Sequence, residues 1–368
     1  MKLVYDKSEA ILLFKLTILY LVLSTSGSFK YAISFIVVAA LLLSKRRVCI
    51  NRAKWKFLFP VVILLAIGIL QLVFIEDIFF KFFLKRLFLM CYPMLLGISI
   101  CEVESQHSME MFMDMQFWAI CITQILTIGF SANDLMESQY AFIFGAYTIY
   151  YLYIKKKKML FFSILMLVIT NKRIALAGAI ICLFILLIYD LGILIHKKYI
   201  DKMIAVVSLI ATYIYIYACK TYIIEDVFRK LHINTNGRID TWRNFRDIYY
   251  ISPIFRGTGI GKVGMVLNQL NIPTFEMLHN DILTYYIEIG FIGFGIFLVS
   301  LFNMGQACSE NRKRLVITLI IVYTLINYCT DNISIYINYW MPLSIMILSI
   351  INVNMKEEKA NSYKLEKV

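Results

Sequence analysis

The first candidates for chemistry are the polar side chains at the start of one apolar stretch. In EMLHNDILTYYIEIGFIG, residues 276–293, His279, Asn280 and Asp281 precede an apolar run, and Glu288 follows inside it. Histidine can act as a base near neutral pH. A single histidine at such a boundary is, however, more often a contact to lipid headgroups, so a catalytic role depends on its neighbours.

An arginine-rich segment lies about 40 residues earlier in the chain. Arg238 and Trp242 in GRIDTW are four residues apart, so a helix would place them on one face, and Arg243 and Arg246 follow. Guanidinium groups bind phosphate with two parallel hydrogen bonds and stack on aromatic rings. The segment therefore suits a site for phosphates or sugars, although a solvated helix would also explain the charges.

Basic residues also occur near two predicted outer helix ends, where positive charge is disfavoured. Arg173 lies in TNKRIALAG, and Lys81, Lys85 and Arg86 lie in IFFKFFLKRLF. These side chains either reach lipid headgroup phosphates or face a polar cavity that binds an anion. The sequence leaves both interpretations open.

Two other patterns predict little chemistry. The string GTGIGKVG, residues 257–264, lacks the spacing of a nucleotide-binding P-loop and is interpreted as a tight turn whose N–H groups could still meet an anion. The eight cysteines form no C-x-x-C and no carboxylate lies at ligand spacing from the histidines. We therefore expect no metal, no other cofactor and no disulfide framework.

Composition indicates the class of protein. The chain of 368 residues is 60% hydrophobic and 17% charged, with a mean hydropathy of +0.74. A soluble domain of this length cannot bury so much apolar surface, so an all-α polytopic membrane protein is predicted. The net charge of +13 is attributed to basic cytoplasmic loops rather than to nucleic-acid binding, because no basic stripe lies on a soluble domain.

About twelve apolar segments are long enough to be membrane helices. They cover residues 10–24, 28–44, 57–75, 79–101, 111–130, 139–154, 159–171, 173–194, 203–220, 281–303, 314–329 and 334–352. Lysine and arginine concentrate in alternate loops, which predicts that both termini are cytoplasmic and that the number of spans is even. Residues 353–368 then form a cytoplasmic tail.

One connection is too long to be a simple loop. Residues 221–280 form a stretch of about 60 residues between the ninth and tenth predicted spans, and the alternation assigns it to the outside. Its middle, NTNGRIDTWRNFRDIYY, predicts a short helix capped by Asn or Thr. The motif-bearing residues from Arg238 to His279 all lie in this segment.

The pattern GRxxxW, SPIFRGTGIG and HNDILTYYIEIGFIG resembles the signature of the O-antigen ligase and O-antigen/capsular polysaccharide polymerase superfamily. The motifs cover residues 237–295, and the twelve-span layout extends the resemblance over most of the chain. The short TNKR element resembles the family's S-R element, except that Lys172 replaces the serine. The resemblance implies a GT-C-like helical arrangement with one large extracytoplasmic loop.

The resemblance also implies an activity. It implies a metal-independent glycosyltransferase of the bacterial plasma membrane whose substrates are polyprenyl-diphosphate-linked oligosaccharides. The partners that it implies are membrane lipids, a flippase and a chain-length regulator protein. By position, Arg173 and Arg238 would bind the diphosphate and His279 would act on the acceptor. The remaining candidate substrate-binding residues are Lys81, Lys85, Arg86, Trp242, Arg243, Arg246, Asn280 and Glu288. We expect Glu288, about two and a half turns below His279, to support the cavity.

Three functions remain open at this stage. The first is a repeat-unit polymerase that moves a growing glycan onto the next lipid-linked repeat. The second is a ligase of the same superfamily, which would hand the finished glycan to another acceptor. The third is a flippase, which would line a central cavity with cations and would need no long motif-bearing loop.

Overall fold

The structure, a computed structural model, describes residues 52–75, 78–103, 106–127, 138–193, 197–232, 235, 237–270 and 277–365. Within these residues the chain forms helices and no strands. The α-helices are α1 (Arg52–Phe74), α2 (Phe80–Val103), α3 (Gln106–Thr127), α4 (Ala141–Tyr153), α5 (Lys157–Ile169), α6 (Arg173–Asp190), α7 (Ile200–Lys220), α8 (Ile223–Lys230), α9 (Arg238–Arg243), α10 (Lys262–Gln269), α11 (Asp281–Asn303), α12 (Asn311–Tyr328) and α13 (Ile337–Leu365). Short 3₁₀ turns cover Arg246–Ile248, Met304–Ala307 and Ile333–Ile335.

Each of the ten apolar segments predicted from residue 57 onward corresponds to one long helix. The two predicted segments at 10–24 and 28–44 lie outside the described residues. Four of the described helices, extending over Arg52–Phe74, Arg173–Asp190, Ile200–Lys220 and Asp281–Ala307, are long and apolar enough to cross a membrane. Helix α13 continues beyond the last predicted span and through most of the predicted tail, to Leu365.

Small residues allow the central helices to pack closely. The ring of Tyr323 on α12 lies against Gly145 of α4, where an added Cβ would meet its hydroxyl at 2.1 Å. The Tyr323 hydroxyl donates to the carbonyl of Phe142 at 2.8 Å. Gly178 of α6 also approaches this ring, and an added Cβ there would lie 3.2 Å from Tyr323 Cδ2. One buried tyrosine therefore joins α4, α6 and α12 at a single level of the bundle.

The segment 221–280 contains three short helices, α8, α9 and α10. Helix α9 lies where a short helix is predicted, but its N-cap is Gly237 in the left-handed conformation with no side-chain cap, so the predicted Asn or Thr cap is wrong. Glycine adopts this conformation without steric cost, which explains how the chain turns into the helix there.

The glycine string docks into a break in α11. Gly290 has φ +77° inside α11, so the helix is interrupted there. Across the break, Thr258 N–H donates to Ile287 O at 2.8 Å and Phe291 N–H donates to Phe255 O at 2.9 Å. The backbone of the segment before the glycine string passes so close to α11 that a Cβ on Gly290 would lie 2.3 Å from the carbonyl carbon of Arg256.

Replacing Gly290 with alanine should destabilise the protein. The substitution requires a left-handed φ for a residue with a Cβ and forces that Cβ against backbone, which we expect to cost about 2 kcal/mol or more. Thermal unfolding of the purified protein in detergent would measure the loss. Gly293→Ala is the matched control, because its Cβ would be no closer than 3.4 Å to the Ile67 side chain. Equal melting temperatures for the two variants would contradict the docking.

Candidate functional site

A buried carboxylate lies at the centre of the candidate site. Asp331, in the turn between α12 and α13, is 2% exposed. The ammonium of Lys172 lies 2.5 Å from its Oδ2, and Nδ1 of His279 lies 3.7 Å from its Oδ1. The Tyr336 hydroxyl donates to Oδ1 at 3.3 Å. Asp331 therefore brings together residues that are more than 150 positions apart in the chain.

The charges around Asp331 keep it ionised. Burial raises the pKa of its carboxyl, but the adjoining His279 ring and the Lys172 ammonium lower that pKa by more. The resulting pKa lies well below the usual range for aspartate, so the group carries its negative charge at any physiological pH.

His279 is held by contacts to the residues on either side of it. Its backbone is left-handed, with φ +49°. Trp242 Nε1 donates to Leu278 O at 2.8 Å, and the Asn280 side chain caps α11 by accepting from Leu283 N–H at 3.0 Å. The imidazole remains 28% exposed. These contacts orient the ring toward Asp331 while leaving one side of it accessible.

The two predicted diphosphate-binding arginines differ in their surroundings. Arg238, the first residue of α9, donates from Nη1 to Thr330 O at 2.7 Å, directly beside Asp331. Arg173, the first residue of α6, is exposed, and its guanidinium forms no ion pair with the residues that the structure describes. It is Lys172, its neighbour, that contacts Asp331. The structure therefore places Arg238, His279 and Lys172 around one turn, with Arg173 at its edge.

Arg86 and Glu288 form a buried ion network. Arg86 Nε lies 3.4 Å from Glu288 Oε2 and its Nη2 lies 3.5 Å from Asp281 Oδ1. Both carboxylates are fully buried. Glu288 Oε1 also accepts from Gly261 N–H at 3.0 Å, and Asp281 accepts from Ser334. Glu288 thus links α2 to the glycine string, and the guanidinium of Arg86 faces these carboxylates and not an open cavity.

Lys81 and Lys85 lie on the same helix as Arg86, and both are exposed at the start of α2. The backbone of their neighbour Phe82 is close to Gly261, where an added Cβ would approach within 2.6 Å. The two lysines therefore lie beside the glycine string rather than at Asp331.

Four consecutive N–H groups in the glycine string, those of residues 258–261, donate to acceptors of the protein itself. Gly259 N–H donates to the carbonyl of Glu288 at 3.1 Å, and Ile260 N–H donates to Gln71 Oε1 at 3.0 Å. The N–H groups of Thr258 and Gly261 also have protein acceptors. The interpretation as a tight turn is therefore the better one.

The other arginines of the loop bind one carboxylate. Glu225 of α8 accepts from Arg243 at 2.7 Å and from Arg246, which is buried and also donates to Cys219 O at 3.1 Å. Burial raises the pKa of Glu225, but these two guanidinium groups lower it below its usual value. Arg246 thus ties α8 to the end of α7, while the Arg243 side chain remains half exposed.

Three important residues were not among the sequence candidates: Lys172, Asp331 and Glu225. In the sequence, Lys172 stood out only as the departure from the family's S-R element, and Asp331 is a single carboxylate between two apolar segments. Metal binding is not indicated either, since no group of three or more His, Cys, Asp and Glu side chains within the described ranges is arranged to hold an ion.

Comparison with known proteins identifies the part of the chain that carries most of these residues. Residues 159–298 match the family model described as O-antigen ligase. No curated protein and no solved structure matches the chain. The matched segment includes Lys172, Arg238 and His279, whereas Asp331 lies beyond its end. The predicted resemblance is therefore confirmed over residues 159–298, which are similar to the O-antigen ligase family.

Proposed function

We propose that the protein is a membrane glycosyltransferase that polymerises lipid-linked repeat units. A growing glycan is transferred from its polyprenyl diphosphate to the next lipid-linked repeat on the outer face of the bacterial plasma membrane. The observation that carries the proposal is the pairing of His279 with the ionised Asp331, beside Arg238. The match to the O-antigen ligase family supports the same chemistry.

His279 is proposed as the base. Its Nδ1 faces Asp331, and Nε2 is proposed to meet the acceptor hydroxyl. Nε2 takes the hydroxyl proton as the acceptor oxygen bonds to the anomeric carbon. The buried carboxylate favours the positively charged ring that results, in the manner of an aspartate that orients a catalytic histidine.

The arginines are proposed to stabilise the leaving group. When the bond from the anomeric carbon to the diphosphate breaks, the electron pair and the growing negative charge go to the diphosphate oxygen. The contact of Arg238 to Thr330 uses one of the five N–H donors of its guanidinium. The other donors, together with those of the exposed Arg173, suit a diphosphate at the membrane surface. Loss of one such group typically costs about 10²–10³ in rate.

The description of the matched family favours a second candidate, transfer of the finished glycan to a different acceptor by a ligase. The base, the carboxylate and the arginines would do the same work on the donor in both reactions. The candidates differ in the product, which is a ladder of lipid-linked glycans for a polymerase and a single glycan–acceptor conjugate for a ligase. The flippase and the chain-length regulator remain proposed partners of the polymerase alone.

Replacing His279 with alanine should abolish long polymer and accumulate lipid-linked single repeats. Removing a general base lowers the rate by roughly 10²–10⁴. Electrophoresis of lipid-linked glycans from cells that carry the variant would measure the outcome. His232→Ala is the matched control, since this histidine also has a left-handed backbone and is exposed. Normal polymer length in the His279 variant would contradict the proposed role.

Replacing Asp331 with asparagine tests the pairing. We expect the transfer rate to fall by roughly 10²–10⁴, because the carboxylate that orients the His279 ring is lost. The rate of glycan transfer in vesicles that contain a lipid-linked repeat measures the loss, and Asp331→Glu should restore part of it. An unchanged rate in the Asp331→Asn variant would contradict the pairing.

A further inference from the structure

Helix α8 has an apolar edge that faces away from the protein. Ile223, Val227 and Leu231 are spaced four residues apart, so they form one line along the helix. They are 46%, 41% and 64% exposed, and the preceding Tyr222 is 55% exposed. Three large apolar side chains in one exposed line are unusual on a surface that faces water.

The opposite side of α8 contacts the protein. Glu225 is buried and binds Arg243 and Arg246. The guanidinium of Arg246 also lies 3.5 Å from the centre of the Tyr222 ring, and Tyr222 itself has the left-handed φ of +66° that turns the chain from α7 into α8. The turn and the helix are thus held in one orientation, so the exposure of the apolar edge is enforced.

The apolar edge continues a stripe on α7, which is long and apolar enough to span a membrane. The exposed members of that stripe are Val206, Val207, Ile210, Ile214 and Tyr217, each between 52% and 64% exposed. Helix α7 ends at Lys220 and α8 begins at Ile223. The apolar edge of α8 therefore begins within three residues of the end of the helix that carries this stripe.

Positive charge borders the apolar edge. Arg229 and Lys230 follow Val227, and Arg229 pairs with Asp226 at 2.6 Å, while Lys230 is exposed. A helix with an apolar face and basic residues beside it is typical of segments that lie in the membrane interface and attract anionic lipids.

We propose that α8 is an interfacial helix bound to the lipid surface, with Ile223, Val227 and Leu231 against acyl chains and Lys230 at anionic headgroups. Because Glu225 of α8 also binds Arg243 and Arg246, the helix sets the height of the arginine-bearing loop relative to the membrane. This assignment concerns a surface of the protein and does not depend on the proposed transfer reaction.

Site-specific photocrosslinking tests the proposal. Benzoylphenylalanine is introduced into the full-length protein at Val227, at Asp226 on the polar side, and at Tyr217 as a positive control. The protein is reconstituted into phosphatidylcholine vesicles with phosphatidylglycerol as a minor component, and adducts are identified by mass spectrometry. We expect lipid adducts at positions 217 and 227 and few at 226, with unchanged thermal unfolding for all three variants.

The charge is tested in the same vesicles. One net cation at the surface should enrich phosphatidylglycerol among the adducts at 227 on the order of five-fold over its bulk fraction. The Lys230→Gln variant should lose that enrichment and keep the lipid contact. Enrichment that persists in Lys230→Gln would overturn the assignment of this charge.

Two results would overturn the lipid contact itself. Equal lipid yields at 226 and 227 would show that the helix has no lipid-facing edge. A protein adduct at 227 in native membranes would instead identify a partner protein as the occupant. None of these crosslinking measurements requires glycan transfer. They can therefore fail while the proposed function holds, and the reverse is also true.

Discussion

The candidate site depends on one buried carboxylate that is shared by a lysine and a histidine. An ionised aspartate that is 2% exposed is stable only when charge and hydrogen bonds compensate it, and removal of one partner of such a pair typically costs about 3–5 kcal/mol. Asp331 is compensated by Lys172 from the start of α6 and by the ring of His279. The same interaction therefore joins three distant parts of the chain and holds the proposed base beside a fixed negative charge.

The rest of the structure keeps His279 at that carboxylate. The half of α11 that follows it is held by Arg86 through Asp281 and Glu288. At the C-terminal end of this half-helix, backbone hydrogen bonds join the glycine string and its preceding residues to both sides of the break at Gly290. Glu288 links the two regions, because it binds Arg86 and the N–H of Gly261. Motifs far apart in the sequence thus support one short, rigid segment.

The sequence predicted the helices well, because apolar segments of sufficient length are visible without any knowledge of packing. It also selected His279 and Arg238, which contact two adjacent residues of one turn, Asp331 and Thr330. It did not reveal that Lys172, and not Arg173, would contact Asp331. Lys172 and Asp331 are 159 positions apart, and no periodicity relates them. Arg86 was expected to face a cavity or lipid, and the buried carboxylates that meet it are equally invisible to composition. The closeness of Gly257 to Gly290 is likewise a property of the folded backbone alone.

The central claim is that this turn catalyses transfer from a polyprenyl diphosphate. The most direct measurement is incubation of the purified protein in vesicles with a single lipid-linked repeat, followed by quantification of both glycan length and released polyprenyl diphosphate. A ladder of longer glycans with one diphosphate released for each new linkage is the predicted result. Movement of lipid-linked repeats across the bilayer, with no new glycosidic linkage and no released polyprenyl diphosphate, would contradict this claim.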